Sequence, residues 1–242
     1  MTPILVYSPE EARRNSFVAD RITDRLGARL VTPDYRGDAA YVINRSNDCE
    51  VARFYEEQGI RVFNPYEFCQ LANNKQACYD FMEAQGIGIM PTGYSTPPFV
   101  KKPVDGHGGQ GVVMCFSADD YDPDTVCQKP ASTLGRDLRI WVIGGEIVTS
   151  IMRVSNGDFR SNYCLGGSAI LHQLTAEELA LAKRIIDLVE GDYYGIDLIY
   201  DGNRPVFNEL EDTVGARMVY DLTDIDIIGM YCEYIKQNIK GL

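Results

Sequence analysis

Phe99-Val-Lys-Lys-Pro-Val-Asp-Gly-His-Gly-Gly-Gln-Gly-Val-Val-Met114 is the stretch from which the rest of the chain is read. An apolar lead-in, Phe99-Val100, runs into Lys101 and Lys102. Glycines follow at 106, 108, 109 and 111, and a second apolar run occupies Val112 to Phe116. Both flanks predict strands, so the segment is a hairpin with a loop that is nearly all backbone. Glycine opens positive-φ conformations and lets main-chain N–H groups approach a ligand closely. A phosphate chain suits such a loop, with a lysine beside it to balance charge. A dinucleotide fingerprint would place a helix straight after the glycines, and here a strand follows. The same residues also fit a plain glycine hairpin with surface lysines.

Composition sets outer bounds. The 242 residues suffice for one large domain or two to three small ones, and a hydrophobic fraction of 45% is that of a globular chain. No apolar run is long enough to span a bilayer, and the first residues, Met1 to Tyr7, lack the basic head and long apolar core of a signal peptide. The seven cysteines are scattered without a C-x-x-C pair, and there are two histidines, so a zinc site is not expected. The odd cysteine count points to reduced thiols in the cytoplasm. A net charge of −12 argues against nucleic acid as a partner.

Before the hairpin, Ile4 to Tyr7, Ala28 to Val31, Ala40 to Ile43 and Ile60 to Phe63 predict strands. Ser8-Pro9-Glu10-Glu11 carries a helix start for one helix ending at Gly27, and Asp48 opens a second toward Gly59. The alternation predicts a small parallel α/β unit over about the first 70 residues. Asn44-Arg45 falls at a strand end, where ligand contacts arise in α/β sheets, although a lone arginine is commonly a surface charge. Asn74-Lys75 opens a further helix that ends at Gly86.

After the hairpin, Thr125 to Pro130 predicts an edge strand stopped by proline. Leu134 to Ile143 leads to a two-residue turn at Gly144-Gly145, and Ile147 to Met152 returns. Asn156-Gly157 marks another turn. Thr175-Ala-Glu-Glu178 is a capping box, Gly195 to Tyr200 and Arg204 to Leu210 form a strand pair, and one last helix is expected from about Thr223 to Ile239.

Two charged clusters stand out. Glu209 and Glu211 lie two apart on one predicted strand and share a face. Carboxylates crowded on one face repel unless a cation is bound, and oxygen ligands of this kind suit magnesium with phosphates. Asp197 joins that face only if the connecting loop has odd parity. A tight turn at Gly202-Asn203 would pair Asp197 with Asn208, whereas a three-residue loop with a bulge would bring Asp197 to Glu209. The alternative is an exposed acidic strand edge. Arg139, Arg153 and Arg160, with Asn162, form the cationic cluster, and arginine offers a forked donor to phosphate or carboxylate oxygens.

With these residues in place, the chain resembles the ATP-grasp superfamily, and within it the RimK-like carboxylate–amine ligases. The resemblance runs from about Asn74 to the C-terminus. It is carried by Lys75, Val100-x-Lys102, Gly106-x-x-Gly109-x-Gly111, Gly135-x-Asp137-x-Arg139, Gly157-Asp-Phe-Arg-Ser-Asn162, Gly166-Gly167, Gly195-Ile-Asp197 and Glu209-x-Glu211. It implies an α/β chain with an α+β C-terminal part. Residues 1–72 would form a parallel α/β domain before the grasp, 73–131 a central subdomain with the glycine lid, and 132–242 a C-terminal subdomain with the metal site. The two subdomains would clasp ATP.

By the same resemblance, Lys75 and Lys102 would contact ATP phosphates beneath the lid of Gly106, Gly109 and Gly111. Gln128, Lys129 and Pro130 would receive the adenine, and Asp137 would lie near the ribose. Arg160, Ser161 and Asn162 would face the transferring phosphoryl, with Arg160, Lys102 and Asn162 in catalysis. Asp197, Glu209 and Glu211 would hold magnesium or manganese. Arg153, Arg139, Asn44, Arg45 and Arg217 are candidates for substrate contact. Two departures stand out: Gln128 replaces the family's usual Glu, and Glu211 its usual Asn. The implied activity joins a small-molecule or peptide carboxylate to an amine, or a thiol, through an acyl phosphate, with release of ADP and phosphate. A kinase on the same fold and a nucleotide-binding module without ligase activity are the competing readings. Neither nucleic acid nor membrane is an expected partner, and oligomeric state is left open.

Overall fold

The computed structural model describes residues 1–106, 108–155, 157 and 168–239. The described residues form three sheets, with helices packed on them. The first is parallel, with β1 (Ile4–Val6), β2 (Arg29–Val31), β3 (Val42–Asn44) and β4 (Val62–Phe63) in the order β2-β1-β3-β4. β1, β3 and β4 are buried throughout, as a parallel sheet covered on both faces requires.

The single helix expected between Ser8 and Gly27 is two helices, α1 (Pro9–Arg14) and α2 (Ser16–Leu26). Asn15 breaks it. Its side-chain amide donates to the Glu11 carbonyl and carboxylate, so it competes for backbone that the helix would use. Ser8 caps α1 and Gly27 ends α2 at φ 62, as the sequence implies. Helix α3 (Cys49–Glu56) follows its Asp48 cap. A further helix that the reading did not anticipate, α4 (Tyr66–Ala72), precedes α5 (Lys75–Ala84), which Asn74 caps.

The glycine stretch is a hairpin. In the second sheet β5 (Phe99–Lys102) is central, flanked antiparallel by β6 (Val113–Cys115) and the edge strand β7 (Val126–Gln128). Gly108, Gly109 and Gly111 all adopt positive φ, and a Cβ on Gly111 would lie 2.7 Å from Pro103 Cγ. No other residue fits there without displacement.

The third sheet is antiparallel, with β8 (Thr133–Ile143), β9 (Glu146–Val154), β10 (Ser168–Leu171), β11 (Tyr193–Asp201) and β12 (Arg204–Glu211) in the order β10-β9-β8-β11-β12. Gly144 and Gly145 turn β8 into β9, both at positive φ, as a two-residue hairpin of this hand needs. One face of the sheet is apolar: Leu138, Ile140, Val142, Ile196, Leu198 and Leu210 pack under α6 (Ala176–Ile186) and α5. The opposite face is apolar at one end only, where Trp141, Ile143, Ile151 and Tyr193 pack with the C-terminal helices. The last helix expected from about Thr223 to Ile239 is α8 (Ile227–Asn238), and a further helix that the reading did not anticipate, α7 (Arg217–Leu222), precedes it. Asp226 caps α8 through the Gly229 N–H, which sets its start four residues later than expected.

The Asp197 question has a different answer from either alternative. The turn is the tight one, with Asp201 opposite Arg204, yet Asp197 pairs with Glu209. The extra residue sits inside the ladder: Leu198 pairs with Phe207, so Asn208 is bulged out. The bulge restores the parity that the turn alone would lose.

Candidate active site

Alternation on the third sheet gathers its charges. Asp137 lies opposite Arg153, Arg139 opposite Asp197, Asp197 opposite Glu209, and Gly195 opposite Glu211. Directly opposed residues share a face, so all six charged side chains stand on one. They form a connected net. Arg139 Nε and Nη2 each lie 2.7 Å from an oxygen of Asp197, and Nη2 also donates to Glu211 at 2.9 Å. Arg153 donates to both Asp137 oxygens at 2.5 and 2.9 Å, and to Asp197 at 2.6 Å. Burial opposes ionisation of Asp197, but the two guanidiniums outweigh it and hold the carboxyl down to about 2. Burial pushes the Glu209 carboxyl up, aided by Glu211 and Asp197 and opposed by Lys75.

Two lysines reach this face from other elements. Lys75, at the first turn of α5, places Nζ 2.5 Å from both Glu209 Oε1 and the Gly106 carbonyl. It therefore ties the glycine loop to the acidic strand. Lys102, at the end of β5, is 8% exposed and donates to Tyr79 OH, Gln128 Oε1 and Asn208 Oδ1 at 2.9, 2.8 and 3.0 Å. All three acceptors are neutral. Burial brings its ammonium down to about 8, with Glu209 opposing and Lys75 assisting. The acceptors are themselves fixed: Tyr79 OH donates to the Asn208 carbonyl at 2.6 Å and Gln128 Nε2 to the Met90 carbonyl at 3.0 Å. The Gln128 side chain is thus turned inward.

One cleft is lined by Lys75, Lys102, Gly109, Gln128, Lys129, Pro130, Asp137, Arg139, Arg153, Asp197, Glu209 and Glu211. Gly106 and Gly111 belong to the loop beside it. Three candidates lie apart from the lining. Asn44 is buried and occupied locally, donating to the Asp48 carbonyl and accepting from Ser46. Arg45 is buried near Tyr7 and Val214. Arg217 is exposed in the first turn of α7. Arg160, Ser161 and Asn162 lie outside the described residues. Tyr79 and Asn208 were missed by the sequence reading. Tyr79 could have been found, because it stands one helical turn after Lys75 on the same face.

Oxygen atoms of Asp197, Glu209 and Glu211 lie within 4.8 Å of one another. Three hard carboxylate donors fit a magnesium-type cation, and at present cationic side chains neutralise them.

Residues 68–235 match the RimK-like ATP-grasp domain. Among curated relatives, a "probable alpha-L-glutamate ligase" of Methanococcoides burtonii is 30% identical over 78% of this chain and 72% of its own length. Among solved structures, a D-alanine–D-alanine ligase from Bacillus anthracis complexed with ATP superposes with a TM-score of 0.72 at 14% identity, covering 99% of each chain. The ATP-grasp ligase PsnB, in complex with a precursor variant, Mg and ADP, gives 0.70 at 18% identity, covering 97% of each. Both likenesses are of fold.

Proposed function

The chain belongs to the RimK-like ATP-grasp family, and on that premise we propose that it is an ATP-dependent ligase that joins a carboxylate to an amine through an acyl phosphate. The observation that carries the reading is convergence. Two lysines from separate elements and an acidic trio on one strand pair line a single cleft under a glycine loop.

In the proposed reaction the substrate carboxylate attacks the γ-phosphorus of ATP, and ADP leaves. The amine then attacks the acyl carbon, and phosphate leaves with the oxygen that bridged. The protein's part is mainly to position groups and to balance charge. Lys102 would meet the phosphates with a charge that no carboxylate in direct contact cancels. Lys75 would exchange part of its hold on Glu209 for a phosphate oxygen as the triphosphate enters. Backbone at Lys129 and Pro130 would take the adenine, and Asp137 the ribose. The Gly106–Gly111 loop would close over the phosphates and exclude water that hydrolyses acyl phosphates. Arg160 and Asn162 are proposed at the transferring phosphoryl.

Asp197, Glu209 and Glu211 would hold magnesium, which when bound supplies neutralisation of phosphate charge. The relatives' names make L-glutamate the first co-substrate to try.

ADP release by the full-length protein, measured with ATP, magnesium and a panel of acids and amines that includes L-glutamate, tests the proposal. Turnover is expected only when a carboxylate and an amine are both present. Turnover with a single partner would assign a kinase instead, and nucleotide binding without ADP release for any pair would leave a binding module.

A further inference from the structure

Four basic side chains are buried among the described residues: Arg45, Lys75, Lys102 and Arg153. Lys75 and Arg153 are paired with carboxylates. Lys102 and Arg45 are held only by neutral groups. Burying a charge without a counter-ion is costly, so such groups point to anions that bind there. Lys102 faces the nucleotide cleft. Arg45 does not line it, and its charge has no use so far.

Its place in the fold is specific. Tyr7 stands just beyond the carboxyl end of β1 and Arg45 just beyond that of β3. In the order β2-β1-β3-β4 the chain leaves β1 for β2 on one side, while β3 and β4 lie on the other. The gap between β1 and β3 is therefore where the winding reverses, the usual ligand position in an open parallel sheet. Arg45 is 5% exposed. Its Nε donates to Tyr7 OH at 2.7 Å and its Nη2 to the Val214 carbonyl at 2.8 Å, which leaves Nη1 with no acceptor among the described residues. Its guanidinium carbon lies 5.4 Å from the Tyr193 ring centroid. The Tyr193 hydroxyl is buried and has no hydrogen-bond partner among the described residues.

This spot lies on the sheet face that carries the acidic trio, about 13 Å along β11 from Asp197. Tyr193 is on the same face of β11 as Asp197, four residues away on a strand of period two. Val214 packs against Gly195, where a Cβ would meet Val214 Cγ2 at 2.9 Å and Glu211 Cβ at 3.3 Å.

We infer that Arg45 and Tyr193 form a carboxylate subsite on the sheet face of the acidic trio, one that anchors a non-reacting carboxylate of a co-substrate. One guanidinium nitrogen and one hydroxyl, both without acceptors, match the two oxygens of a carboxylate, and the fixed charge supplies the counter-ion that Arg45 lacks. Assigning the bound group to a co-substrate rests on the ligase reading of the neighbouring cleft. The anion site itself does not.

Calorimetric titration of the full-length protein without nucleotide tests it, with glutarate, glycine and glycinamide as probes. Glutarate carries carboxylates without an amine, glycine carries both groups, and glycinamide has no carboxylate. Tighter binding of glutarate than glycine assigns the subsite to the acid, and the reverse order assigns it to the amine-bearing partner. Glycinamide is expected to bind at least about tenfold more weakly than the better of the two. Tyr193→Phe is expected to weaken the better probe by about tenfold, with a melting temperature equal to or above wild type, because the lost hydroxyl had no partner. Arg45→Lys should retain part of the binding and Arg45→Met none. Carboxylate affinity unchanged in Tyr193→Phe and Arg45→Met, or the absence of any carboxylate binding, overturns the subsite. A separate titration with ATP and magnesium reads the ligase proposal: carboxylate binding through Arg45 without nucleotide binding would keep the subsite and remove the ligase reading.

Discussion

Lys102 carries most of what is particular to this cleft. Its ammonium is buried, brought down to about 8 and surrounded by three neutral oxygens. The charge is therefore present below about pH 8 and lost as pH rises through it. A triphosphate that leans on Lys102 should bind progressively more weakly between about pH 7 and 9.5, whereas Lys102→Arg, with a charge that persists past pH 12, should show a flat profile there. Nucleotide dissociation constants measured across that range decide the point, and an equal slope in both proteins would contradict it. Asn208→Ala removes one of the three acceptors and should weaken nucleotide binding by about two- to tenfold, read in the same titration. At this scale the lysines were legible because glycines and an apolar strand frame them. Asn208 was not, because what it does depends on a contact with a lysine 106 residues away in the chain.

Elements were legible where local chemistry decides them. Ser8, Asn74 and Thr175 cap helices as their positions imply, and two glycines close the β8–β9 hairpin. Elements that depend on distant contacts were not legible. The bulge at Asn208 leaves no mark in its own strand, and it is held from outside by Tyr79 and Lys102. The capping box of α6 makes a prediction of its own. Glu178 accepts from the Thr175 N–H at 2.8 Å and from Tyr200 OH at 2.6 Å, and lies 2.8 Å from His172 Nε2. Burial raises its pKa, but these groups outweigh burial and hold it below 4.5. A depressed folded-state value means that the stabilisation is present above the unfolded value and lost as pH falls through the folded one. Glu178→Gln should therefore cost about 1–2 kcal/mol at pH 7 and lose less than wild type on acidification to about pH 3. Calorimetric unfolding at the two pH values checks this, and a parallel loss in both proteins would contradict it.

Over the whole molecule, one buried amide couples the parallel sheet to the antiparallel one. Asn64, at the end of β4, accepts from the Asp192 and Tyr193 N–H groups at 2.6 and 2.8 Å. It donates to the Tyr193 carbonyl and to the backbone and side chain of Asp212, the residue after the acidic strand. Asn64→Ala leaves these groups unpaired and should cost about 2–4 kcal/mol in thermal unfolding, while a change under about 0.5 kcal/mol would show that this amide does not hold the sheets together. The order of strands and glycines was readable along the chain, but the joining of sheets was not, since it is made by single polar residues far apart in sequence. The central claim is that Lys75, Lys102 and the acidic trio act together on one triphosphate to activate a carboxylate. The most direct test is to supply the acid substrate with an ¹⁸O-labelled carboxylate, together with ATP, magnesium and an amine, and to weigh the released phosphate. Transfer through an acyl phosphate predicts one ¹⁸O in each phosphate, and unlabelled phosphate released during turnover would contradict it.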